Sequence, residues 1–299
     1  MIQNRKRVDT DPNGMELRGD VEPLFDLVAN DGDVHEFVAD EVPSHWHSEL
    51  EVFLLLEGRV RVGVGGEVHE IEPGYGCFIN TGVIHSVTAL VAAPCRYRSF
   101  VFDAGILAGM PGSIFDVKYI RPLMERGPAY VFLDYPGGDA ACLAAFGRAF
   151  DVCVQEGQGF EFRVREALTE LILAVIQKSR VSPTRAAADI GEERLKQMLT
   201  FMNAHLGAAV TLADLAASAN VCPREAQRIF GRYLRERPMA YMQRLRIYRA
   251  AQMLADTGKP VTEIALDCGF SSPGYFARQF RRITGKSPTA YRRDAGKKA

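Results

Sequence analysis

The sequence lacks the marks of membrane and exported proteins. Its 299 residues contain no apolar run of the ~18–20 residues that a membrane-spanning helix needs. The first 20 residues are polar, and no apolar stretch follows Arg5, Lys6 and Arg7, so we expect neither a signal peptide nor a membrane partner. No two of the six cysteines have C-x-x-C spacing, and we therefore expect reduced thiols and a cytoplasmic location.

The sequence also lacks the short motifs of several enzyme classes. It has no P-loop, no G-x-G-x-x-G and no G-x-S-x-G, so we expect a protein that is not an enzyme and that needs no cofactor. A hydrophobic content of 47% and a charged content of 24% exclude a disordered chain and a coiled-coil rod. The length favours two domains.

The overall charge of −1 hides a division between the two halves of the chain. Residues 1–189 carry a net charge of −11, whereas residues 190–299 carry +10. A basic half joined to an acidic half is typical of a nucleic-acid-binding domain linked to a domain that binds something else. Two domains with unrelated surfaces are the alternative interpretation.

The acidic half begins with short segments rich in Val, Phe, Ile and Tyr, separated by glycine and proline. The segments are His35–Asp40, Leu50–Leu56, Arg59–Val64, Tyr75–Asn80, Ile84–Leu90 and Arg96–Asp103. Many short strands with frequent turns predict a sandwich or a small barrel. Two helices should follow, near Ala141–Glu156 and Glu161–Lys178. The polar composition of residues 180–190 predicts an interdomain linker.

The second of these helices carries an apolar stripe. Val164, Leu168, Leu171 and Val175 lie at spacings of four, three and four residues, which places them on one helix face. The stripe has two interpretations: it packs against the barrel, or it pairs with the same helix of a second subunit. We favour a homodimer, because a dimer doubles the contacts with DNA.

The basic half contains an internal repeat. Phe230 is followed eight residues later by Pro238, and Phe280 is followed eight residues later by Pro288, an offset of 50. Such an offset predicts two copies of one supersecondary unit, here a helix-turn-helix. Thr211 should cap the first helix, while Asn220 and Gly269 should make the two turns.

Polar and basic residues occupy the exposed face of the second helix in each copy. Arginine can bind guanine and glutamine can bind adenine in the major groove. A solvated helix face is the alternative interpretation, which two copies in a +10 domain disfavour. The DNA-binding candidates are Arg224, Gln227, Arg228 and Arg232 in the first copy, and Gly274, Tyr275, Arg278, Gln279 and Arg282 in the second.

These residues resemble the AraC/XylS family of bacterial transcription regulators, over about Glu193 to Arg293. The most specific string runs from Ile264-Ala265 through Gly269-Phe270-Ser271-Ser272 to Gly285-Lys286-Ser287-Pro288. The resemblance implies that base-reading positions fall on Arg224, Gln227 and Arg228, and on Gly274, Tyr275 and Arg278.

The sequence departs from the family pattern at the start of the second helix of each helix-turn-helix copy, which we call the reading helix. Cys222 stands where a capping serine is usual, so we expect a weaker cap there. Pro273 and Gly274 leave the reading helix of the second copy with few side chains that could contact bases. We therefore expect the first copy to carry most of the sequence discrimination, and the second to contribute mainly phosphate contacts.

The acidic half contains a spaced set of metal-ligand residue types. His45, His47 and Glu51 share strand parity, and His85 follows Gly82. This pattern resembles the two cupin motifs, which implies a cupin-like β-barrel, and three imidazoles with a carboxylate suit a transition metal. We favour a pocket for an organic effector over a metal site or a plain core. Asn80, Tyr97 and Arg98 are further pocket candidates.

Together these features predict an α+β protein of two domains. Residues 1–179 form a cupin-like effector-binding and dimerisation domain with following helices, and residues 191–299 form an all-α domain with two helix-turn-helix units. The resemblance implies a sequence-specific DNA-binding regulator, an effector-responsive activator of metabolic genes with carbohydrate genes as a candidate class.

The alternative function is a metal-dependent cupin enzyme or a metal sensor fused to a DNA-binding domain. The expected partners are double-stranded promoter DNA, a small-molecule effector, a second copy of the chain and RNA polymerase. In one branch of the resembled family a polar arm, here the residues before 20, lies over the mouth of the barrel.

Overall fold

The computed structural model describes residues 2–11, 15–17, 22, 24–134, 139–179 and 189–296. The chain divides into two compact units, and the main body of the first ends at Asp189 where that of the second begins at Ile190. The expected linker, residues 180–190, lies outside the described residues except at its last two positions. Among the residues described, no helix is both long and apolar enough to cross a bilayer.

Two facing β-sheets form the centre of the first unit. A six-stranded sheet has the order β1-β4-β11-β6-β9-β12, and a four-stranded sheet has the order β5-β10-β7-β8. The strands β2 and β3 form a separate pair. The strands are β1 (Ile2–Gln3), β2 (Asp9–Thr10), β3 (Glu16–Leu17), β4 (Leu27–Asp33), β5 (Glu41–His45), β6 (Leu50–Leu55), β7 (Val60–Val64), β8 (Glu67–Ile71), β9 (Tyr75–Ile79), β10 (His85–Ala89), β11 (Arg96–Phe102) and β12 (Tyr130–Asp134).

Residue alternation along the six-stranded sheet separates two hydrophobic cores. Phe53 and Leu55 of β6 pack between the two sheets with Val62 of β7. Leu50 and Val52, at the intervening positions of the same strand, pack in the other core with the helices. Because neighbouring side chains of a strand point to opposite faces, one sheet serves both the barrel interior and the helical layer.

Where the first unit is described, four α-helices accompany the barrel, and they are α1 (Gly105–Ala108), α2 (Arg121–Arg126), α3 (Ala140–Gln155) and α4 (Phe160–Ser179). The apolar stripe of α4 lies inside the chain's own core, where Val164, Leu168, Leu171 and Val175 are fully buried. The interpretation of this stripe as a dimer interface is therefore wrong. The stripe packs beside α3 and the six-stranded sheet, because that sheet has a second apolar face to cover.

One predicted strand is also wrong. Residues 35–40 form parts of two short 3₁₀ turns, Val34–Glu36 and Val38–Asp40, rather than a strand. Ala39 and Asp40 have φ values of 61° and 56°, in the left-handed region that a strand cannot contain. Asp33 caps the first turn by accepting a hydrogen bond from the backbone N–H of His35.

The second unit is entirely helical where it is described. Its helices are α5 (Ile190–Ala204), α6 (Leu212–Ser218), α7 (Pro223–Tyr233), α8 (Pro238–Asp256), α9 (Val261–Asp267), α10 (Pro273–Thr284) and α11 (Pro288–Ala295). Thr211 and Asp214 form a reciprocal capping box at the start of α6, as the sequence predicts. Asn220 and Gly269 make the two turns with φ values of 53° and 76°.

Candidate effector cavity and nucleic-acid interface

Three imidazoles and one carboxylate meet inside the barrel of the first unit. We call His45, His47, Glu51 and His85 the tetrad, and one possible ligand atom from each lies within 4.8 Å of the others. His45 ends β5 and pairs directly with His85 of β10, whereas Glu51 lies on β6 of the other sheet. The tetrad therefore contains residues from both sheets. Its side chains meet because the two sheets face each other in the barrel, and alternation along a single strand would not bring them together.

Backbone carbonyls hold each imidazole of the tetrad by the same ring nitrogen. Nδ1 lies 2.8 Å from the Pro43 carbonyl in His45, 3.2 Å from the Glu49 carbonyl in His47 and 2.9 Å from the Val83 carbonyl in His85. A carbonyl can only accept, so Nδ1 carries the hydrogen in all three rings. The Nε2 atoms of His47 and His85 then point at Glu51, 3.2 and 3.0 Å from its Oε2.

Burial and mutual charge both act on the tetrad. Burial lowers the pKa of His45 well below its ordinary value, and the neighbouring rings of His85 and His47 lower it further. Burial would raise the pKa of Glu51, but the hydrogen bonds and charges of His47 and His85 hold it well below its ordinary value. Glu51 is therefore an ionised carboxylate in a buried site, which is the state in which it binds a cation.

A cavity lies beside the tetrad, between the two sheets. Its wall combines apolar side chains such as Val62 and Ile79 with the polar side chains of Asn30, Tyr97 and Ser99. Asn30 donates a hydrogen bond to Ser99 at 3.0 Å, but its own Oδ1 is buried and has no hydrogen-bond partner. Tyr97 is among the pocket residues predicted from the sequence. Asn30 and Ser99 are not, although alternation along β4 and β11 places both side chains on the face that points into the barrel.

The N-terminal arm, residues 2–11 and 15–17, closes this cavity. Arg5, Arg7 and Val8 line it from the arm together with Glu16. The Glu16 side chain is only 4% exposed, forms an ion pair with Arg5, and keeps its Oε2 without a hydrogen-bond partner. The Glu16 backbone N–H donates to the Trp46 carbonyl at 2.9 Å, which ties the arm to the segment that carries the tetrad.

Three predicted pocket residues, His47, Asn80 and Arg98, lie outside the cavity lining, and Asn80 and Arg98 lie outside the tetrad as well. Arg98 pairs with Asp31 at 3.2 Å and stacks its guanidinium on Phe150 of α3, 3.9 Å from the ring centroid. Asn80 donates to the carbonyls of Leu123 and Pro128 at 2.8 and 3.0 Å. The prediction that Arg98 and Asn80 line the pocket is therefore wrong. Side chains alternate between the two faces of a sheet, and these two point toward the helical layer, whereas Tyr97 and Ile79 point into the barrel.

The first reading helix, α7, presents a polar and basic surface. Its exposed candidates are Arg224, Gln227, Arg228 and Arg232. Arg228 makes a bidentate ion pair with Glu225 on the same helix, at 2.8 and 2.6 Å. Glu225, which the sequence analysis does not single out, therefore engages the guanidinium of Arg228. Cys222 provides no side-chain cap for α7, as expected.

The second reading helix, α10, offers fewer free reading groups. The Tyr275 hydroxyl donates to Gln243 of α8 at 3.2 Å, and Gln279 is half-buried with its carbonyl oxygen fully covered. Ser272 caps this helix by accepting from the Tyr275 backbone N–H at 3.3 Å. The exposed candidates that remain are Gly274, Arg278 and Arg282.

Known proteins match both units. A family model described as the AraC-like ligand-binding domain matches residues 32–172, and one described as a helix-turn-helix domain matches residues 215–294. The chain is 25% identical over 262 residues to the uncharacterized HTH-type transcriptional regulator YdeC of Bacillus subtilis, a match that covers 87% of this chain and 89% of YdeC.

Two further matches extend the comparison. The HTH-type transcriptional activator RhaS of Klebsiella pneumoniae is 25% identical over 270 residues, which covers 85% of this chain and 89% of RhaS. A crystal structure of an AraC-type transcriptional regulator from Chromobacterium violaceum is 30% identical, with a TM-score of 0.35, and the match covers 36% of this chain and 96% of that one.

A ligand-binding barrel and a pair of helix-turn-helix units define a two-domain, DNA-binding transcriptional regulator. The chain belongs to the AraC family of such regulators and carries the family's ligand-binding domain at its N-terminal side. Its relatives are transcriptional regulators and not enzymes, which agrees with the expectation from the sequence.

Proposed function

We propose that a small molecule bound in the barrel cavity changes the affinity of this regulator for promoter DNA. The observation that carries the proposal is a pair of buried polar atoms in the cavity wall that have no hydrogen-bond partner, Glu16 Oε2 and Asn30 Oδ1. An unpaired buried polar atom costs about 1–3 kcal/mol, and a ligand that supplies the missing partner recovers that cost. Residues 1–179 would then be the sensor, and residues 191–299 the DNA-binding domain.

The proposed interface with DNA consists of the exposed faces of α7 and α10. Arg224, Gln227 and Arg228 would contact base edges, because their side chains are exposed on one helix face. Arg278 and Arg282 would contact mainly phosphates, which position the protein without specifying sequence. The intervening helix α8 has 19 residues and is therefore about 28 Å long, comparable with the ~34 Å of one DNA turn.

Activation of metabolic genes is the proposed outcome, with carbohydrate genes as one candidate class. Support for activation comes from relatives named as transcriptional activators. We propose a homodimer in which paired DNA-binding domains raise the effective concentration at paired sites. Since the α4 stripe is buried within the chain, such a dimer would use another surface. RNA polymerase is the further proposed partner, and the cytoplasm the proposed location.

Binding of DNA is tested by selecting fragments from genomic DNA with the full chain and measuring affinity against salt concentration. The logarithm of the binding constant should fall with the logarithm of salt at about −0.9 per phosphate contact. An affinity that does not depend on salt would contradict the proposed interface.

Ligand control is tested by titrating metabolites that shift the thermal unfolding of the protein. A ligand that acts as proposed should change DNA affinity by about 5–150-fold. Asn30→Leu should abolish this response, whereas Asp31→Asn, the next residue on β4, should keep it, because Asp31 faces the opposite side and pairs with Arg98. A bound ligand that leaves DNA affinity unchanged would refute the proposal.

A further inference from the structure

One arginine of α8 joins the two helix-turn-helix copies. Arg246 donates from Nε to the carbonyl of Leu206 at 2.8 Å and from Nη2 to that of Ala208 at 2.5 Å. Both acceptors lie in the connection between α5 and α6, which leads into the first copy. The Nη1 of the same guanidinium donates to the carbonyl of Gly269 at 3.3 Å, in the turn of the second copy. A single side chain therefore binds the backbones of both copies.

A guanidinium suits this position because it presents several donors in one rigid plane. Its N–H groups form a fixed fork, and it stays charged even where burial lowers its pKa, as burial does for Arg246. The three carbonyls follow the C-terminal ends of α5 and α9, where the helix dipoles leave partial negative charge. These carbonyls can therefore hold a half-buried cation without a carboxylate.

Two glycines allow the backbones of the two copies to touch beside Arg246. A Cβ on Gly207 would lie 2.8 Å from the carbonyl oxygen of Asp267, and a Cβ on Gly269 would lie 2.7 Å from that of Leu206. Gly269 also has a positive φ, whereas the φ of Gly207 lies outside the left-handed region. Only the lack of space therefore requires glycine at position 207. We call residues 206–208 and 267–269 the junction.

The junction is a second connection between two copies that α8 already joins. On one side α5 packs against α6 and α7, and on the other α8 packs against α9, α10 and α11. A single connecting helix leaves one copy free to rotate against the other. A second contact, made by close-packed backbones and three hydrogen bonds, removes that freedom. The junction therefore sets how the reading helices α7 and α10 lie relative to each other.

We infer that Arg246 is a positioning residue that fixes the angle between α7 and α10 and thereby selects the spacing of the two DNA segments that one chain binds. The angle follows from the geometry of the junction, and only its consequence for DNA spacing rests on the proposed function. Neighbouring base pairs are rotated by about 35° and separated by about 3.4 Å, so a fixed angle should distinguish spacings that differ by one base pair.

The angle is measured first without DNA, on the full chain. Spin labels are attached after Arg232→Cys on α7 and Arg281→Cys on α10, both exposed positions, in a Cys222→Ser background whose remaining native thiols are buried. Double electron–electron resonance then gives the distance distribution between the labels. Arg246→Met, which removes the donors, should widen this distribution at least about twofold, because further orientations become populated. An unchanged distribution would overturn the inference.

The spacing is measured on a DNA fragment that the full chain selects. One base pair is inserted or deleted between the two protected segments, and the affinities are compared. The unaltered protein should lose at least about tenfold in affinity at either changed spacing, whereas Arg246→Met should lose less than about threefold. At the selected spacing Arg246→Met should bind about tenfold more weakly, because only the molecules with the right angle are competent. Equal weakening at every spacing would refute the positioning role.

Two further variants separate the fork of donors from the charge. Arg249→Met is the matched control, since it removes the same charge from an exposed position of α8. It should leave the distance distribution unchanged and weaken binding equally at all spacings. Arg246→Lys keeps the charge but replaces the planar fork by a single ammonium, so it should lose most of the spacing preference. A full spacing preference in Arg246→Lys would contradict the role of the fork.

The junction is also tested with Arg246 in place. The new Cβ of Gly207→Ala would press on the Asp267 carbonyl oxygen and separate the two backbones. We therefore expect a shifted distance distribution and a weaker spacing preference. Gly258→Ala is the matched control, because a Cβ there meets no other atom within 4 Å, and it should change neither measurement. A Gly207→Ala variant that behaves like Gly258→Ala would contradict the contact between the copies.

The two measurements together distinguish this inference from the proposed function. If Arg246→Met widens the distance distribution but the full chain binds no DNA, the positioning role of Arg246 stands and the proposed DNA interface fails. If the chain binds DNA with a sharp spacing preference that Arg246→Met retains, the DNA interface stands and the inference fails.

Discussion

The two helix-turn-helix units share a core and differ on their surfaces. Phe230 and Phe280 occupy equivalent positions, 50 residues apart, and both are fully buried. The reading helices α7 and α10 both begin with proline and carry arginine on the outer face. Yet α10 has a serine cap that α7 lacks, and α7 exposes four candidate side chains whereas α10 exposes two, those of Arg278 and Arg282.

The buried cores and the exposed faces of the two units are therefore subject to separate physical requirements. A close-packed interior tolerates few changes of volume, so the buried frame repeats in both units. An exposed face contributes little to packing, so its side chains can differ without loss of the fold. The proposed division of labour, base reading by α7 and phosphate contact by α10, depends on that freedom. Four pairs of substitutions test the comparison, in order of decreasing effect.

The largest effect is expected in the shared core. Phe230→Ala and Phe280→Ala should each destabilise the second unit by about 3–5 kcal/mol, through lost burial and a residual cavity. Urea unfolding of the full chain, followed by circular dichroism of the helical transition, measures both. A cost for one below half that for the other would show that the two cores are not equivalent.

The turns should differ in their tolerance of a side chain. Gly269→Ala should cost about 2 kcal/mol or more, because φ is positive and the new Cβ would lie 2.7 Å from the Leu206 carbonyl oxygen. Asn220→Ala should cost only about 1 kcal/mol, since a residue with a Cβ already occupies that turn. Thermal unfolding compares them, and equal costs would contradict the crowding argument at Gly269.

The reading helices should differ in specificity. Arg228→Ala should lose about 1–3 kcal/mol of discrimination between the selected site and its single-base variants. Arg278→Ala should weaken binding to all sequences alike and reduce the salt slope by about 1. Binding to a panel of duplexes decides the matter. Greater loss of base preference in Arg278→Ala would reverse the proposed ranking of the two units.

The smallest effect is expected at the caps. Ser272→Ala should destabilise α10 by about 1 kcal/mol, because it removes the acceptor for the Tyr275 N–H. Cys222→Ser should stabilise α7 by a similar or smaller amount, about 0.5–1 kcal/mol, by supplying a cap that is absent. Thermal unfolding measures both, and a destabilised Cys222→Ser variant would show that the thiol has another role.

Much of the fold was predictable where the signal is local. The repeat located α7 and α10, and the capping pair located the start of α6. Five of the six predicted strands coincide with observed ones to within a residue or two at each end. The exception, residues 35–40, has strand-like composition but follows an Asp33 cap and contains two left-handed residues. Local hydrogen bonding there overrides propensity.

The candidate site was predicted in part. The tetrad residues were all named from their spacing, and the cavity also contains Tyr97. Asn80 and Arg98 could have been excluded by parity, since each alternates with a residue that faces the barrel. The position of Glu16 in the cavity wall could not have been predicted in this way, because the path of the arm depends on contacts with residues distant in sequence, such as Trp46.

Local patterns in the sequence are enough to predict two units, the helix-turn-helix repeat and the side-chain types that meet in the barrel. Period, caps and charge are short-range properties, so they can be read along the chain. Tertiary packing sets the surface that the α4 stripe covers, the strand faces that point into the barrel and the position of Glu16. Those outcomes depend on competition among distant surfaces for burial, which residue order alone does not specify.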